Sequence, residues 1–128
     1  MRFLGIDYGT KRVGIAFSDG EGQFAMPFIV LNNNKDLITE IISIANKNNI
    51  KEIIIGESKN YKGEANSILE KSLEIKKTLE NEKFIVHLEP EFMTSMNAER
   101  FQGKNDMIDA SAAALILQSF LDKKNSKK

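Results

Sequence analysis

Acidic side chains stand at the ends of several predicted elements of the chain, where their carboxylates could meet in one site. Asp7 ends a predicted first strand, and Asp109 lies in the first turn of a predicted last helix. Further acids end or follow two other predicted strands: Glu57, Glu89 and Glu91. Three or four converging carboxylates repel one another unless a cation neutralises them. Such an oxygen-rich cluster suits Mg²⁺ or Mn²⁺, and paired ions can activate a water and stabilise the leaving oxygen in phosphodiester hydrolysis.

Each of these acids also has a simpler structural interpretation. An aspartate that ends an apolar strand is costly to bury, so we favour a functional role for Asp7 over that of a turn former. Asp109, like Asp106 before it, suits the first turn of a helix, where free backbone N–H groups stabilise acids. Glu57 fits the cap of a loop, and Glu91 fits a solvated position. On the residues alone, these alternatives stay open.

Apolar runs and alternation predict the strands, and the helical spacing of apolar residues predicts the helices. The strands are predicted over residues 2–8, 12–18, 24–31, 51–57 and 83–89, and the helices over 35–48, 65–81 and 106–121, with a short helical stretch around 95–101. Two tight hairpins make the first three strands antiparallel, and helical crossovers make the last two parallel to the first. The predicted fold class is therefore α/β, a five-stranded mixed sheet with helices on both faces.

This sheet would bring the acids to one edge. The carboxyl ends of the first, fourth and fifth strands point the same way, and ligand sites of open α/β sheets gather beyond such ends. Lys11, Arg12 and Arg100 are candidates for contacting phosphates at that rim. Pro27 predicts that the third strand lies at a sheet edge or contains a bulge. Gly5 is predicted to serve tight packing of the sheet.

The composition limits the classes of protein that the chain can belong to. Its 128 residues predict one domain over 1–122, followed by a flexible lysine-rich tail over 123–128. Equal numbers of basic and acidic residues, 18 of each, exclude nucleic-acid binding by a general basic surplus. The lack of cysteine excludes thiolate nucleophiles and cysteine metal sites. The single histidine, His87, is predicted to be a strand-face residue rather than a catalytic base.

No segment of the sequence predicts a membrane protein. The longest apolar stretch near the C-terminus runs from Ala112 to Leu117, far short of the roughly 20 residues that span a bilayer. Near the start, Asp7 comes too early for a signal peptide. We therefore expect a cytoplasmic protein without a membrane partner.

Two motifs resemble one family. Residues 4–16, LGIDYGTKRVGIA, and residues 109–121, DASAAALILQSFL, look like the opening and closing motifs of the YqgF/RuvX family, pre-16S rRNA nucleases related to the RuvC Holliday-junction resolvases. The resemblance implies an RNase H-like fold over 1–122 and divalent-metal-dependent cleavage of nucleic acid. It also implies maturation of the 5′ end of 16S rRNA in the bacterial cytoplasm. By motif matching, Asp7 and Asp109 take the family's metal-binding positions.

The middle motifs depart from the family pattern. The family's middle acid sits in an Asp-Glu-Arg segment, which reads Glu-Pro-Glu-Phe-Met-Thr-Ser over residues 89–95 here, so Glu91 or Glu89 takes that role. The family's Gly-x-Pro is replaced by Gly-Glu-Ser over residues 56–58. Glu57 stands where the related resolvases carry an acid. The resemblance therefore implies a metal site of Asp7 and Asp109, completed by Glu57 or Glu91.

The resulting hypothesis is an endonuclease that uses Mg²⁺ or Mn²⁺ to cleave precursor 16S rRNA. A resolvase acting on branched DNA is an alternative within the same chemistry, and it would need a two-fold dimer, whereas the sequence allows a monomer or a homodimer. A nucleic-acid-binding member without catalysis is a second alternative. An ATPase of the actin and sugar-kinase type is disfavoured, because such enzymes need two copies of the domain.

Overall fold

The computed structural model describes residues 2–9, 11–57, 67–90 and 108–126, and at residues 57, 67–69, 90 and 108–110 it describes the backbone only. Within these ranges the chain forms five strands and three helices. The strands are β1 (Phe3–Tyr8), β2 (Arg12–Ser18), β3 (Ala25–Asn32), β4 (Glu52–Glu57) and β5 (Ile85–Pro90). The helices are α1 (Leu37–Lys47), α2 (Ser67–Asn81) and α3 (Ile108–Ser126).

The strands form one mixed sheet in the order β3-β2-β1-β4-β5. β1 and β2 pair antiparallel, as do β2 and β3, whereas β4 runs parallel to both β1 and β5. This arrangement confirms the predicted five-stranded mixed sheet. It also brings the carboxyl ends of β1, β4 and β5 to one edge, as the sequence predicts.

The central strands are buried on both faces, which explains their apolar runs. One row of side chains, which includes Leu4 and Ile55, packs with α1 and α2 in the larger core. The opposite row, which includes Phe3 and Ile54, packs with Leu117 and other residues of α3 in the second core. Because side chains alternate along a strand, Gly5 and Asp7 share the row of Phe3, on the α3 side of the sheet.

β3 is an edge strand, and it contains the irregularity that Pro27 predicts. Ile15 pairs with Ile29 whereas Ala16 pairs with Pro27, so β3 has one residue more than β2 at this point. Proline lacks the N–H that a regular ladder requires, and edge positions and bulges tolerate that loss. Both parts of the prediction, the edge and the bulge, are confirmed.

The last helix is longer than the sequence pattern predicts. α3 continues to Ser126, five residues past the predicted end at Leu121, so the first part of the expected tail is helical. Contacts with the sheet side hold this extension: Lys123 bonds Glu89 at 2.6 Å, and Asn125 donates to the carbonyl of Gly22 at 3.2 Å. The apolar pattern that predicts the helix ends before these polar contacts begin, so it does not predict the extension.

The start of β5 also differs from its prediction, which began at residue 83. Lys83 has a positive φ of 74°, and the N–H of Phe84 donates to the carbonyl of Leu79 at 3.1 Å. These features close the end of α2, and the strand therefore begins only at Ile85.

In the part of the chain that the structure describes, no helix has the length and apolar character needed to cross a membrane.

Candidate active site

Asp7 lies near the end of β1, between two glycine positions. It pairs with Gly14 of β2. On the other side, Ile6 pairs with Ile55 of β4, so the next step of the register sets Gly56 beside Asp7. Neither neighbour carries a side chain that could cover the half-buried carboxylate of Asp7. The sheet therefore leaves room around this acid.

The packing of α3 sets which part of the helix lies over Asp7. Phe3 contacts Phe120, with ring centroids 5.9 Å apart. Two residues further along β1, a Cβ placed on Gly5 would stand 2.8 Å from Cβ of Leu117 and 3.0 Å from the carbonyl oxygen of Ala113. The helix therefore runs antiparallel to β1.

The same register can be extended from Gly5 towards Asp7 on β1 and, in the opposite chain direction, from Ala113 towards Asp109 on α3. Two residues along a strand advance about 6.6 Å, and four residues along a helix advance about 6 Å. Asp7 lies two residues after Gly5, and Asp109 lies four residues before Ala113, in the backbone of α3. Counted from Leu117 and from Ala113, the same step leads to Ala113 and to Asp109, so the register sets Asp7 at the level of the first turns of α3.

Glu57 is the last residue of β4, and it stands opposite Pro90 in the parallel register. Its position is at the same edge of the sheet as Asp7. By strand alternation it belongs to the row of Ile53 and Ile55, which pack in the larger core on the α1 and α2 side. Glu57 is therefore at the same edge of the sheet as Asp7, but it belongs to the row of side chains on the opposite face.

Glu89 lies in the same row of side chains as Asp7, but its carboxylate already accepts two hydrogen bonds. Its carboxylate is almost fully buried, with 4% of the side chain exposed. Oε2 accepts hydrogen bonds from Nζ of Lys123 at 2.6 Å and from Oγ of Ser119 at 3.0 Å. The ammonium group of Lys123 neutralises this acid, so Glu89 joins β5 to α3.

Lys11 and Arg12 are exposed at the turn between β1 and β2, close in sequence to Asp7. This position leaves their cationic groups accessible at the same edge. Arg12 begins β2 and pairs with Asn32. Gly9 is required in this turn, because a Cβ there would stand 2.6 Å from the carbonyl oxygen of Arg12.

Asn33 is a residue of the site that the sequence interpretation missed. Its side-chain Nδ2 donates to the hydroxyl of Tyr8 and to the carbonyl of Gly9, each at 2.8 Å. Its backbone N–H donates to the carbonyl of Lys11 at 3.0 Å. Asn33 therefore fixes the turn that follows Asp7. Its place in an asparagine run after β3 indicates only a turn, and the pairing of β3 with β2 is what brings it here.

Three predicted residues, Glu91, Arg100 and Asp106, lie outside the described residues. Among the side chains that the structure does describe, no group of three or more His, Cys, Asp or Glu could hold a metal ion. The predicted donor set is Asp7, Asp109 and either Glu57 or Glu91, of which the structure describes the side chain of Asp7. All of these are carboxylates, hard oxygen donors whose chemistry fits Mg²⁺ or Mn²⁺.

The chain is similar in sequence to the proteins of one family. A family model described as RuvX, Holliday junction resolvase, matches residues 1–123. A relative from Staphylococcus haemolyticus, named pre-16S rRNA nuclease, is 34% identical over 139 residues that cover 94% of this chain and 95% of the relative. A second relative of the same name, from Koribacter versatilis, is 32% identical over 134 residues, which cover 96% of this chain and 88% of the relative.

A solved structure of Thermus thermophilus RuvC, in complex with Holliday junction substrate, superposes on the chain with a TM-score of 0.61. The match covers 98% of each chain at 15% sequence identity. A likeness at this level of identity concerns the fold. The predicted RNase H-like fold is confirmed.

Proposed function

This chain belongs to the RuvX family of nucleases, enzymes that hydrolyse phosphodiester bonds, and from that premise we propose that it is a metal-dependent endonuclease that trims the 5′ end of precursor 16S rRNA. The names of its relatives support the substrate. The chemistry is supported by the half-buried carboxylate of Asp7 near the carboxyl end of β1, together with the position of Asp109 at the start of α3. A bacterial cytoplasmic location belongs to the same proposal.

A single observation carries the catalytic assignment, namely the register of α3 against β1. Leu117 and Ala113 lie against Gly5, and this contact brings the first turns of α3, which begin beside Asp109, towards the level of Asp7. The two aspartates are 102 positions apart in the chain. Their coincidence at one sheet edge supports a shared ligand.

Asp7 and Asp109 would hold one or two divalent ions, with Glu57 or Glu91 as the third acid. When bound, such ions activate a water and stabilise charge on the scissile phosphate. Asp7 and Asp109 contribute negative charge and orient the cations. Glu89 is unsuited as the third acid, because its Oε2 already accepts from Lys123 and Ser119.

Lys11, Arg12 and Arg100 would bind phosphates of the strand on either side of the cut. The first two are exposed beside the turn that Asn33 holds. Cationic side chains at such a rim fix the position of a nucleic-acid backbone without reading its sequence. These residues would therefore affect substrate binding more than the chemical step.

Cleavage of branched DNA is the second candidate function. The RuvC structure that superposes on this chain is a complex with Holliday junction substrate, which favours testing this substrate directly. Symmetric cleavage of a four-way junction requires two active sites related by a two-fold axis. A homodimer would therefore accompany this function, whereas a monomer suffices for trimming an rRNA end.

The deciding experiment compares cleavage of two labelled substrates, a precursor 16S rRNA 5′ leader and a four-way DNA junction. Each is incubated with Mg²⁺, with Mn²⁺ and with EDTA. We expect metal-dependent cleavage of the rRNA leader and a loss of at least about a hundredfold in Asp7→Asn, the scale of removing one charge-stabilising group.

Asp36→Asn is the matched control, because Asp36 is an exposed aspartate whose side chain makes no capping hydrogen bond to α1. If the junction is cleaved faster than the rRNA leader, the substrate to be assigned to this chain is branched DNA and not precursor rRNA. If neither substrate is cut by the unaltered chain with any metal, the nuclease proposal fails in favour of a binding protein. Full activity of Asp7→Asn would show that the site is misassigned.

A further inference from the structure

A cavity of about 680 Å³ opens along β5 on the α3 side of the sheet. Its floor includes His87 and Glu89 of β5 and Glu52 at the start of β4, and α3 contributes one wall. α3 packs mainly on β1, β2 and β3, so among the described residues little of α3 covers this face of β5. The volume is in the range of about 300–1,000 Å³ that is usual for small-ligand sites.

Two rings that pack against each other line this cavity. The ring centroids of His87 and Phe120 are 4.9 Å apart, and the rings are tilted by 34°. Phe3 packs behind Phe120, with centroids 5.9 Å apart, and fixes its position. The side chain of His87 remains 38% exposed. Exposed aromatic surfaces of this kind stack with nucleobases whatever their sequence.

Three lysines line the same cavity, namely Lys123, Lys124 and Lys76. Lys76 belongs to α2, and its Nζ pairs with Glu80 at 3.1 Å. Lys123 is fixed by its 2.6 Å contact with the buried Glu89, whereas Nζ of Lys124 lies 5.9 Å from the ring centroid of Phe3. Ammonium groups bind phosphate oxygens as point charges. The cavity thus combines an aromatic surface with cations, which is the combination found in sites for single-stranded nucleic acid.

Glu52 adds a hydrogen-bond acceptor beside the rings. Its Oε2 lies 3.2 Å from Nε2 of His87, and its side chain is 18% exposed. A carboxylate accepts hydrogen bonds from the exocyclic amino groups of adenine, cytosine and guanine. Uracil has no such amino group, so Glu52 would favour the other three bases.

The cavity adjoins the proposed active site. Glu89 pairs with Gly56, and Ile6 pairs with Ile55, so Asp7, Gly56 and Glu89 follow one another across the sheet. Two strand spacings separate Asp7 from Glu89, or about 10 Å. His87 lies two residues before Glu89 on β5, about 7 Å further from that edge, so a nucleic-acid strand bound at Asp7 would reach the ring with a nucleotide beyond the adjacent one.

We propose that this cavity binds one unpaired nucleotide, with its base on the exposed part of the His87 ring, which packs beside Phe120, and its phosphate beside Lys124. Glu52 accepts from the amino group of the base. The source of the nucleotide, a strand held for cleavage at Asp7, rests on the proposed nuclease function. The binding itself needs neither the metal nor the cleavage.

His87 makes a selective experiment possible, because it is the only histidine of the chain. Its ring resonances are followed by NMR in the full chain in EDTA, while AMP, UMP, oligoadenylate and oligouridylate are added separately. We expect AMP and oligoadenylate to shift the His87 signals and the two uridine ligands to bind more weakly. Tighter binding of oligoadenylate than of AMP identifies a strand as the ligand, and equal binding identifies a free nucleotide.

Phe120→Leu and Lys124→Gln should each weaken binding, by about tenfold for the loss of the ring beside His87. The matched controls are Phe24→Leu, at an aromatic residue that is 64% exposed, and Lys47→Gln, in the last turn of α1. Melting temperatures establish that each variant is folded. If Phe120→Leu does not fold, the nucleotide affinity of Lys124→Gln alone tests the inference.

Two results would overturn the inference. One is His87 signals that do not move with any of the four ligands. The other is unchanged affinity in folded Phe120→Leu and Lys124→Gln. A chain that cleaves its substrate but shows either result keeps the nuclease function and lacks this nucleotide site, so the two proposals fail separately. Equal binding of AMP and UMP would refute the role of Glu52.

Discussion

Leu117 lies directly over Gly5, so closely that a Cβ on residue 5 would stand 2.8 Å from Cβ of Leu117. The carbonyl oxygen of Ala113 would stand 3.0 Å from the same atom. Both of these contacts involve atoms at or next to the helix backbone, which cannot rotate away. Only glycine at this position therefore permits the observed distance between β1 and α3.

Gly5→Ala should push α3 away from β1. We expect a loss of about 1–3 kcal/mol in the free energy of unfolding, as for other overpacked cores. Cleavage should fall by up to about a hundredfold if α3 carries Asp109 away from Asp7. Urea unfolding and the rRNA cleavage assay measure the two effects.

Gly20→Ala is the control for this substitution, because a Cβ on Gly20 would meet nothing within 4 Å. It should leave both stability and cleavage close to those of the parent chain. A Gly5→Ala variant that is destabilised but cleaves at the parent rate would separate the packing of α3 from the catalytic geometry.

Asn33→Ala should loosen the turn that follows Asp7. The variant loses the two 2.8 Å hydrogen bonds from Nδ2 to Tyr8 and Gly9. Leaving such polar groups unsatisfied costs about 1–3 kcal/mol. We expect a lower melting temperature together with slower cleavage. Asn46→Ala, at an exposed asparagine of α1, should change neither quantity, and equal effects of the two substitutions would contradict the role given to Asn33.

The ion pair between Lys123 and Glu89 should respond unequally to the loss of its two members. Lys123→Met leaves a buried carboxylate without its counterion, whereas Glu89→Gln leaves an ammonium group that is already 57% exposed to water. We expect a cost of about 3 kcal/mol for the first variant and about 1 kcal/mol for the second. Denaturant unfolding provides both values, and equal losses would show that Glu89 is effectively solvated.

Asp19 should make stability depend on pH in the acid range. Its Oδ1 accepts from the N–H groups of Gln23 at 2.7 Å and of Phe24 at 3.1 Å. These bonds hold the pKa of Asp19 below its ordinary value of 3.8. A lowered folded-state pKa means that the carboxylate contributes stability above pH 3.8, and that this contribution disappears as the pH falls through the lowered pKa.

Asp19→Asn should therefore be less stable than the parent at neutral pH, and the difference should shrink in acid. Thermal melts at a series of pH values test this, with Asp36→Asn as the control. A difference between Asp19→Asn and the parent that stays constant with pH would contradict the assignment.

The directions of the strands follow from the sequence because the apolar runs of β1 and β4 identify strands buried on both faces. The hairpin connections and helical crossovers then leave little freedom of topology. Pro27 likewise predicts the edge strand and its bulge, since the missing N–H has the same effect in any fold. Gly5 was predicted to serve tight packing, and Leu117 is the contact that requires it.

Other parts of the site depend on contacts between residues far apart in the chain, which no local pattern encodes. Asn33 reaches the turn after Asp7 only because β3 pairs with β2. Glu89 resembles a candidate metal ligand in sequence, and its partner Lys123 was assigned to a tail beyond the last helix. The alternatives between Glu57 and Glu91 remain predictions, because the aspartate motifs define only two of the acids.

The irregular pairing of β3 also bears on how the chain avoids aggregation. β3 is an edge strand without a single charged residue, and it exposes Met26 and Phe28. A flat, uncharged edge of this kind would offer its free backbone groups to a strand of another molecule. Pro27 removes a donor from the ladder, and the bulge twists the strand locally. Backbone geometry here takes the protective role that lysine side chains fill at many other sheet edges.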